Sequence, residues 1–348
     1  MINLYNLAQV SFSLGNEIGQ EGKNSKTYIA HDIQLNAEIV IKKILKDKID
    51  SIDAFFNESR TLYLSSHPNV VQIHYACQDH DSIYIAMPYY KNGSLNNLIN
   101  SRFLTVREII VFGCQIASGL HNIHSKKLIH FDIKPDNILL SERGEALISD
   151  FGLAKNANIS GQASQDRMYF KMIPPEALNG SEFTVSFDIY QLGLTLYRMC
   201  NGNSDFYEQF HTYGATPSSI DRDKFRFDLR NGRFPNRSAF LEHIPERLRR
   251  IIKKCLETNP SDRYCAMIEV ANALADIDGS TLDWQFSQSS LSKAWTKRTG
   301  DREYNLTISS DGTSKAEKIT ASGNTTQIRD YCKSNLTPRD IKKFLGEY

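Results

Sequence analysis

The residues best equipped for chemistry lie in one string of this 348-residue chain, His130-Phe131-Asp132-Ile133-Lys134-Pro135-Asp136-Asn137-Ile138-Leu139, and in Asp150-Phe151-Gly152, which begins eighteen residues after Asp132. Carboxylate and carboxamide oxygens are hard ligands suited to a hard divalent cation. A carboxylate can also take a hydroxyl proton, and a lysine ammonium offers a point charge to phosphate. Met alone, any of these residues reads as a turn or capping residue. Further along stand Pro174-Pro175-Glu176, Asp188-Ile189-Tyr190-Gln191-Leu192-Gly193 and Arg263.

The elements that must position them change character near residue 88. Before it, Phe12, Leu14, Tyr28, Ile29 and Glu38-Ile39-Val40-Ile41-Lys42 sit between Gly and Asn breakers and read as strands. One helix interrupts them, with Phe55, Leu62 and Leu64 beside Asp53, Glu58 and Arg60, and a strand pair follows at Val70–Tyr75 and Ile83–Met87. After Pro88, Ile109, Phe112, Ile116, Leu120 and Ile123 recur at the spacing of a core-facing helix. Ile189, Leu192, Leu196 and Met199 repeat the pattern, as do Leu248, Ile251, Ile252, Cys255 and Leu256. Residues 201–240, rich in Gly, Ser, Asp and Phe, read mostly as loop.

In their order along the chain the strings resemble the catalytic loop, D-F-G motif, A-P-E motif and central large-lobe helix of the eukaryotic-type (Hanks-type) protein kinase family. The resemblance covers roughly residues 10 to 279. It implies an α+β, bilobal kinase fold: a β-rich N-lobe over 1–88, an α-rich C-lobe over 89–279, and a small α+β module over 280–348. It also implies transfer of the ATP γ-phosphoryl group to a protein hydroxyl with Mg²⁺. That reaction has a loose transition state and asks the protein mainly to position groups and neutralise charge. Asp132 and Lys134 would be catalytic, the first accepting the hydroxyl proton and the second holding the migrating phosphoryl group. Asn137 and Asp150 would ligate the metal. The D-x-K-P-x-N form resembles the Ser/Thr branch.

Upstream, Lys42 in Ile39-Val40-Ile41-Lys42 would bind the α- and β-phosphates and pair with Glu58. Gly19 and Gly22 would cradle phosphate, although the loop departs from G-x-G-x-x-G-x-V: one extra residue separates the first two glycines, Ser25 stands for the third and Thr27 for the Val. Met87 would be the gatekeeper. The Pro88 carbonyl and the Tyr90 N–H would meet adenine, with Leu139 and Val40 on its two faces. Leu62, Ile73, Phe151 and His130 would stack through both lobes on Asp188, and Glu176 and Arg263 would form a buried ion pair.

Two departures bear on regulation. Phe131 replaces the Arg that in this family pairs with a phosphate on the activation segment, so activity is not expected to need that phosphate. Tyr169 stands where Ser/Thr kinases place a Thr, which leaves dual specificity or tyrosine phosphorylation open. Ser160, Ser164 and Tyr169 are candidate autophosphorylation sites, with self-association as the route.

Residues 280–348 resemble no family with a clear signature. They read as antiparallel strands followed by two short helices, with Trp284, Phe286, Trp295 and Tyr304 as core or as a ligand-stacking surface. A net charge of +1 gives no general case for a nucleic-acid or membrane partner. The six cysteines, none in C-x-x-C, suit free thiols in a reducing compartment. No basic-then-apolar leader opens the sequence, so a cytoplasmic protein is expected. The expected partners are ATP and a protein substrate. A pseudokinase scaffold or nucleotide sensor, a small-molecule kinase, and a C-terminal sensor with the kinase as its output are the competing readings.

Overall fold

The computed structural model describes residues 9–18, 25–48, 60, 63, 66–216 and 218–348. The first sheet is five-stranded and antiparallel in the order β1-β2-β3-β5-β4: β1 Phe12–Ile18, β2 Ser25–Asp32, β3 Ala37–Leu45, β4 Tyr75–Gln78 and β5 Ser82–Pro88. Ile39, Val40 and Ile41 are all buried, so β3 is covered on both faces and reads as a continuous apolar run. Lys42 follows that run and sits between Thr27 of β2 and Ile85 of β5.

The helical lobe is built on α1 (Leu95–Ser101) and α2 (Val106–Ser125). Thr105 and Glu108 close a capping box at the start of α2, satisfying backbone donors that a helix end leaves open. Buried Ile109, Phe112, Ile116, Leu120 and Ile123 then form its inner stripe. Short pairs follow: β6 (Leu128–Ile129), β7 (Ile138–Leu140) and β8 (Ala146–Ile148), β9 (Lys155–Asn156) against β6, and β10 (Ala163–Ser164) against β11 (Glu182–Phe183). Helices α3 (Ser186–Asn201), α4 (Asn203–His211), α5 (Arg222–Arg230), α6 (Glu246–Cys255) and α7 (Met267–Ala275) complete the lobe. Every residue of α3 after its first is buried, so it is the axis the others pack around.

A second five-stranded sheet, β12 (Gln285–Gln288), β13 (Ser292–Thr299), β14 (Arg302–Ser309), β15 (Ser314–Thr320) and β16 (Thr325–Gln327), is an antiparallel meander in sequence order. Helix α8 (Pro338–Glu347) closes it through the Thr337–Asp340 capping box. Trp284, Phe286, Trp295, Tyr304 and Leu306 are buried with Phe344 of α8, so the aromatic residues are core.

Three expectations need correction. Residues 201–240 contain α4 and α5, because Phe206/Phe210 and Phe225/Leu229 are buried pairs at helical spacing and pack with Phe234. The polar residues between them lie on the outer faces, and by composition they hide the period. The strand expected from Val70 starts at Tyr75. Val70 bridges Ile148 and the Val71 N–H donates to the Ile148 carbonyl at 2.9 Å, so β8 takes this segment away from the sheet. Of the two closing helices, the first is a single 3-10 turn, Arg329–Tyr331. Among the described residues no helix is long and apolar enough to cross a membrane.

Candidate active site

The loop after β6 is held from below by α3. Asp188, in the first turn of α3, is fully buried. Its Oδ2 accepts from the His130 N–H at 2.8 Å and its Oδ1 from the Phe131 N–H at 2.8 Å, while His124 Nε2 lies 2.8 Å from Oδ2. Burial works to raise its pKa, but the hydrogen bond from His124 and its charge, with the backbone hydrogen bond from His130, hold the carboxyl below its ordinary value. One helical turn on, Gln191 Oε1 accepts from the Ile133 N–H at 2.8 Å, and its Nε2 donates to the Phe131 carbonyl at 3.1 Å and the Met172 carbonyl at 3.3 Å. Gln191 had no expected role, yet a buried amide three residues after Asp188 on an apolar helix was a usable signal. Together these contacts hold Phe131 at φ +66°, a conformation that costs a non-glycine residue free energy.

His130 is fully buried and its pKa is lowered, chiefly by desolvation. The neutral ring suits its partners: Nε2 donates to the Ser149 carbonyl at 3.2 Å and Nδ1 accepts from the Asp132 N–H at 3.3 Å. Phe151 packs edge-on against it, centroids 4.8 Å apart, and Ile73 joins the same core. Leu62, the fourth member of the expected stack, lies outside the described residues.

Asp132 is 5% exposed. Lys134 Nζ is 3.0 Å from its Oδ1 and 2.8 Å from its Oδ2. Asn137 Nδ2 donates to Asp132 Oδ2 at 2.7 Å and to the Asp132 carbonyl at 2.9 Å. With its N–H donors turned to Asp132, Asn137 has its amide oxygen as the atom suited to a cation. Its backbone carbonyl accepts from the N–H of Ser149 at 2.8 Å, which fixes Asp150 as the next residue in line. Asp150, at φ +58°, receives Lys42 Nζ on Oδ1 at 3.1 Å. The Lys42 charge, acting against desolvation, lowers the Asp150 carboxyl to about 2. The donor set of Asp150 carboxylate and Asn137 amide oxygen is all hard oxygen and fits Mg²⁺.

Met87 and Pro88 end β5, opposite Val40 and Ile39 of β3. Tyr90 follows on the connection, its carbonyl accepting from the Gly93 N–H at 3.0 Å, and burial pushes its hydroxyl pKa up. Leu139 in β7 bridges Ser94 at the start of α1, so it lies beneath the same connection. Gly19, Gly22 and Glu58 lie outside the described residues.

The segment between Asp150 and Glu176 is tied down along its length. β9 pairs with β6 and β10 with β11. Phe131 is fully buried between Phe187 at 5.0 Å and Phe183 at 6.1 Å, both edge-on contacts. Glu176 and Arg263 form a bidentate pair, both contacts 2.7 Å, with the Arg263 side chain fully buried. Removing one partner would cost about 3–5 kcal/mol by leaving the other charge uncompensated.

The protein kinase domain family matches residues 12–273. Among curated proteins the chain is similar to the serine/threonine-protein kinase STE20 of Eremothecium gossypii, 28% identical over 279 residues, which are 75% of this chain and 26% of that protein. It is similar to a 3-phosphoinositide-dependent protein kinase 1 of Arabidopsis thaliana, 33% identical over 57% of this chain and 40% of that one. It is also similar to the serine/threonine-protein kinase PknD of Chlamydia muridarum, 28% identical over 74% of this chain and 30% of that one. The chain thus spans 26–40% of the length of these relatives.

Proposed function

The chain belongs to the protein kinase family, and from that premise we propose that it transfers the γ-phosphoryl group of ATP to serine or threonine hydroxyls of a protein. One observation carries the reading: Lys42 from the small lobe reaches Asp150 while Lys134 and Asn137 both reach Asp132. Relatives named as serine/threonine-protein kinases support the acceptor type.

In this reading Asp132 orients the substrate hydroxyl and takes its proton, a step worth roughly 10²–10⁴-fold in rate. Lys134 neutralises the group in transfer, Lys42 binds the α- and β-phosphates, and Asn137 with Asp150 would hold Mg²⁺. Bound Mg²⁺ supplies charge neutralisation at the phosphate oxygens. Gly19, Gly22 and Glu58 belong to the proposal as phosphate cradle and Lys42 partner. Met87, Pro88, Tyr90 and Leu139 form its adenine seat.

The test is γ-phosphate transfer from labelled ATP with the wild type, Lys42→Met and Asp132→Ala, followed by phosphoamino-acid analysis. Loss of incorporation in both variants with label on Ser or Thr is expected. Equal incorporation by all three proteins would reject the mechanism, and label on Tyr alone would reject the acceptor type.

A further inference from the structure

The charges around Asp132 bear on what flanks the acceptor hydroxyl. The Tyr169 ring lies 4.6 Å from Lys134 Nζ, and a 3-10 turn, Phe170–Met172, follows it. The Met172 carbonyl accepts from the Gln191 amide that also holds the Phe131 carbonyl, so this turn and the catalytic loop share one anchor. Lys171 Nζ stands 4.8 Å from the Tyr207 ring and 4.9 Å from the Phe210 ring. Among the described residues no carboxylate forms an ion pair with it.

Behind Tyr207 lies Arg198, whose side chain is fully buried. Neutral groups hold most of it: Nε donates to Asn203 Oδ1 at 2.8 Å, and Nη2 to Asn96 Oδ1 at 3.0 Å and Tyr207 Oη at 3.3 Å. Nη1 has no hydrogen-bond partner, and Asp136 Oδ2 stands 3.9 Å from it. Asp136 sits between Lys134 and Asn137, so the one carboxylate beside Asp132 on this loop already faces a cation. Arg222 adds a third positive charge over Phe170 at 5.9 Å. Lys171 and Arg198 sense each other: burial, and then the Arg198 charge, lower the Lys171 pKa. A bound anion would relieve both.

We propose that this cationic, aromatic floor selects acceptor segments carrying an acidic group beside the phosphorylated hydroxyl, with Lys171 as the contact and Arg198 as the buried charge that biases it. The proposal rests on the kinase reading and names its substrate class. The acidic group can be an Asp or Glu carboxylate or a phosphate already on the segment; the chemistry at Lys171 is the same.

The test uses the full chain and four serine-centred peptides of one length, flanked by Ala, Asp, phosphoserine or Lys. Transfer (kcat/KM with ATP and Mg²⁺) and direct binding (anisotropy of the labelled peptides) are both measured. The Asp or phosphoserine peptide should exceed the Lys peptide by about tenfold, a margin that added salt erodes. Lys171→Glu should invert the order and Lys171→Arg should keep it. Preference for both acidic peptides, or for phosphoserine alone, supports the proposal and identifies the source of the anion. An Asp-to-Lys ratio near one, or a ratio unmoved by Lys171→Glu, overturns it. Absence of transfer to all four peptides would defeat the kinase reading; anisotropy still decides the charge preference, and equal binding of the Asp and Lys peptides overturns it.

Discussion

At the scale of single residues, two contacts decide what the site can do. The Asp150 carboxyl is held at about 2, below the ordinary 3.8, mainly by Lys42. A depressed folded-state value means that the stability from this pair is fully present above the unfolded value and is lost as pH falls from near 3.8 toward 2. Lys42→Met should therefore flatten the acid limb of a plot of denaturation midpoint against pH; a limb identical to wild type would show that Asp150 draws its shift elsewhere. Phe131 is the second case. Its ring lies in a closed aromatic cluster with Phe183 and Phe187, and we propose that this packing, and not a modification, orders the segment after Asp150. Phe131→Ala should cost about 3–5 kcal/mol in urea unfolding. Ser160→Ala with Ser164→Ala should leave peptide phosphorylation within about twofold of wild type, since surface changes of this kind are small; a large loss would show that the segment needs a phosphate after all. Burial raises the Tyr169 hydroxyl to about 12, and its ring lies over Lys134 Nζ at 4.6 Å.

At the scale of elements, the helices that carry the site approach closely enough that a methyl group matters. A Cβ on Gly119 of α2 would meet the Asn69 carbonyl oxygen at 2.7 Å and Ile148 Cδ1 of β8 at 2.9 Å. Asn69 cannot yield freely, since its carbonyl accepts from the Ile148 N–H at 2.9 Å and its Nδ2 donates to the Ala146 carbonyl at 3.0 Å. β8 leads directly into Ser149 and Asp150, so Gly119→Ala should both destabilise by about 1–3 kcal/mol and lower the transfer rate. Thermal unfolding and kcat would check this, and a stable, fully active variant would show that α2 can shift without moving Asp150. The same scale shows what the sequence makes legible. Asp132, Lys134 and Asn137 lie within one turn of chain, and their spacing alone brings them together. Lys42 and Asp150 meet only through β3 and the end of β8, a pairing that no local period announces. In α4 and α5 two buried apolar residues per helix set the fold while the rest of the surface reads as loop, so composition misleads there. The strand expected at Val70 failed because its apolar residues serve the other lobe, and sequence pattern cannot say which partner a strand will choose.

At the scale of the whole molecule, the C-terminal sheet has its own core, and that core abuts the helical lobe through Phe103 and Leu241. The Arg107 N–H donates to the Leu282 carbonyl at 2.9 Å, and Gln285 Nε2 to the Phe103 carbonyl at 2.8 Å. Phe103 meets Phe286 edge-on at 4.8 Å. His243, 3% exposed and lowered to about 3 by burial, stacks on Phe286 at 5.6 Å, and its Nδ1 accepts from Trp295 Nε1 at 3.3 Å. By contrast the Arg107–Asp283 pair, with side chains 56% and 45% exposed, is worth at most about 1 kcal/mol. The division at residue 280 is therefore proposed as one of sequence, not of cooperativity: the module should melt with the lobe it covers. The chain offers a direct check, because its two tryptophans, Trp284 and Trp295, both lie in this module and are fully buried. Tryptophan emission thus follows the module alone, while far-ultraviolet circular dichroism is dominated by the helices of the lobe. The two signals should give one coincident transition, and Trp295→Phe should lower both midpoints together, because the smaller ring leaves a void and strands the His243 Nδ1 acceptor. A tryptophan transition well below the circular dichroism one would mean that the sheet is an independent unit resting on the lobe, and the shared aromatic contacts would then be too weak to couple them.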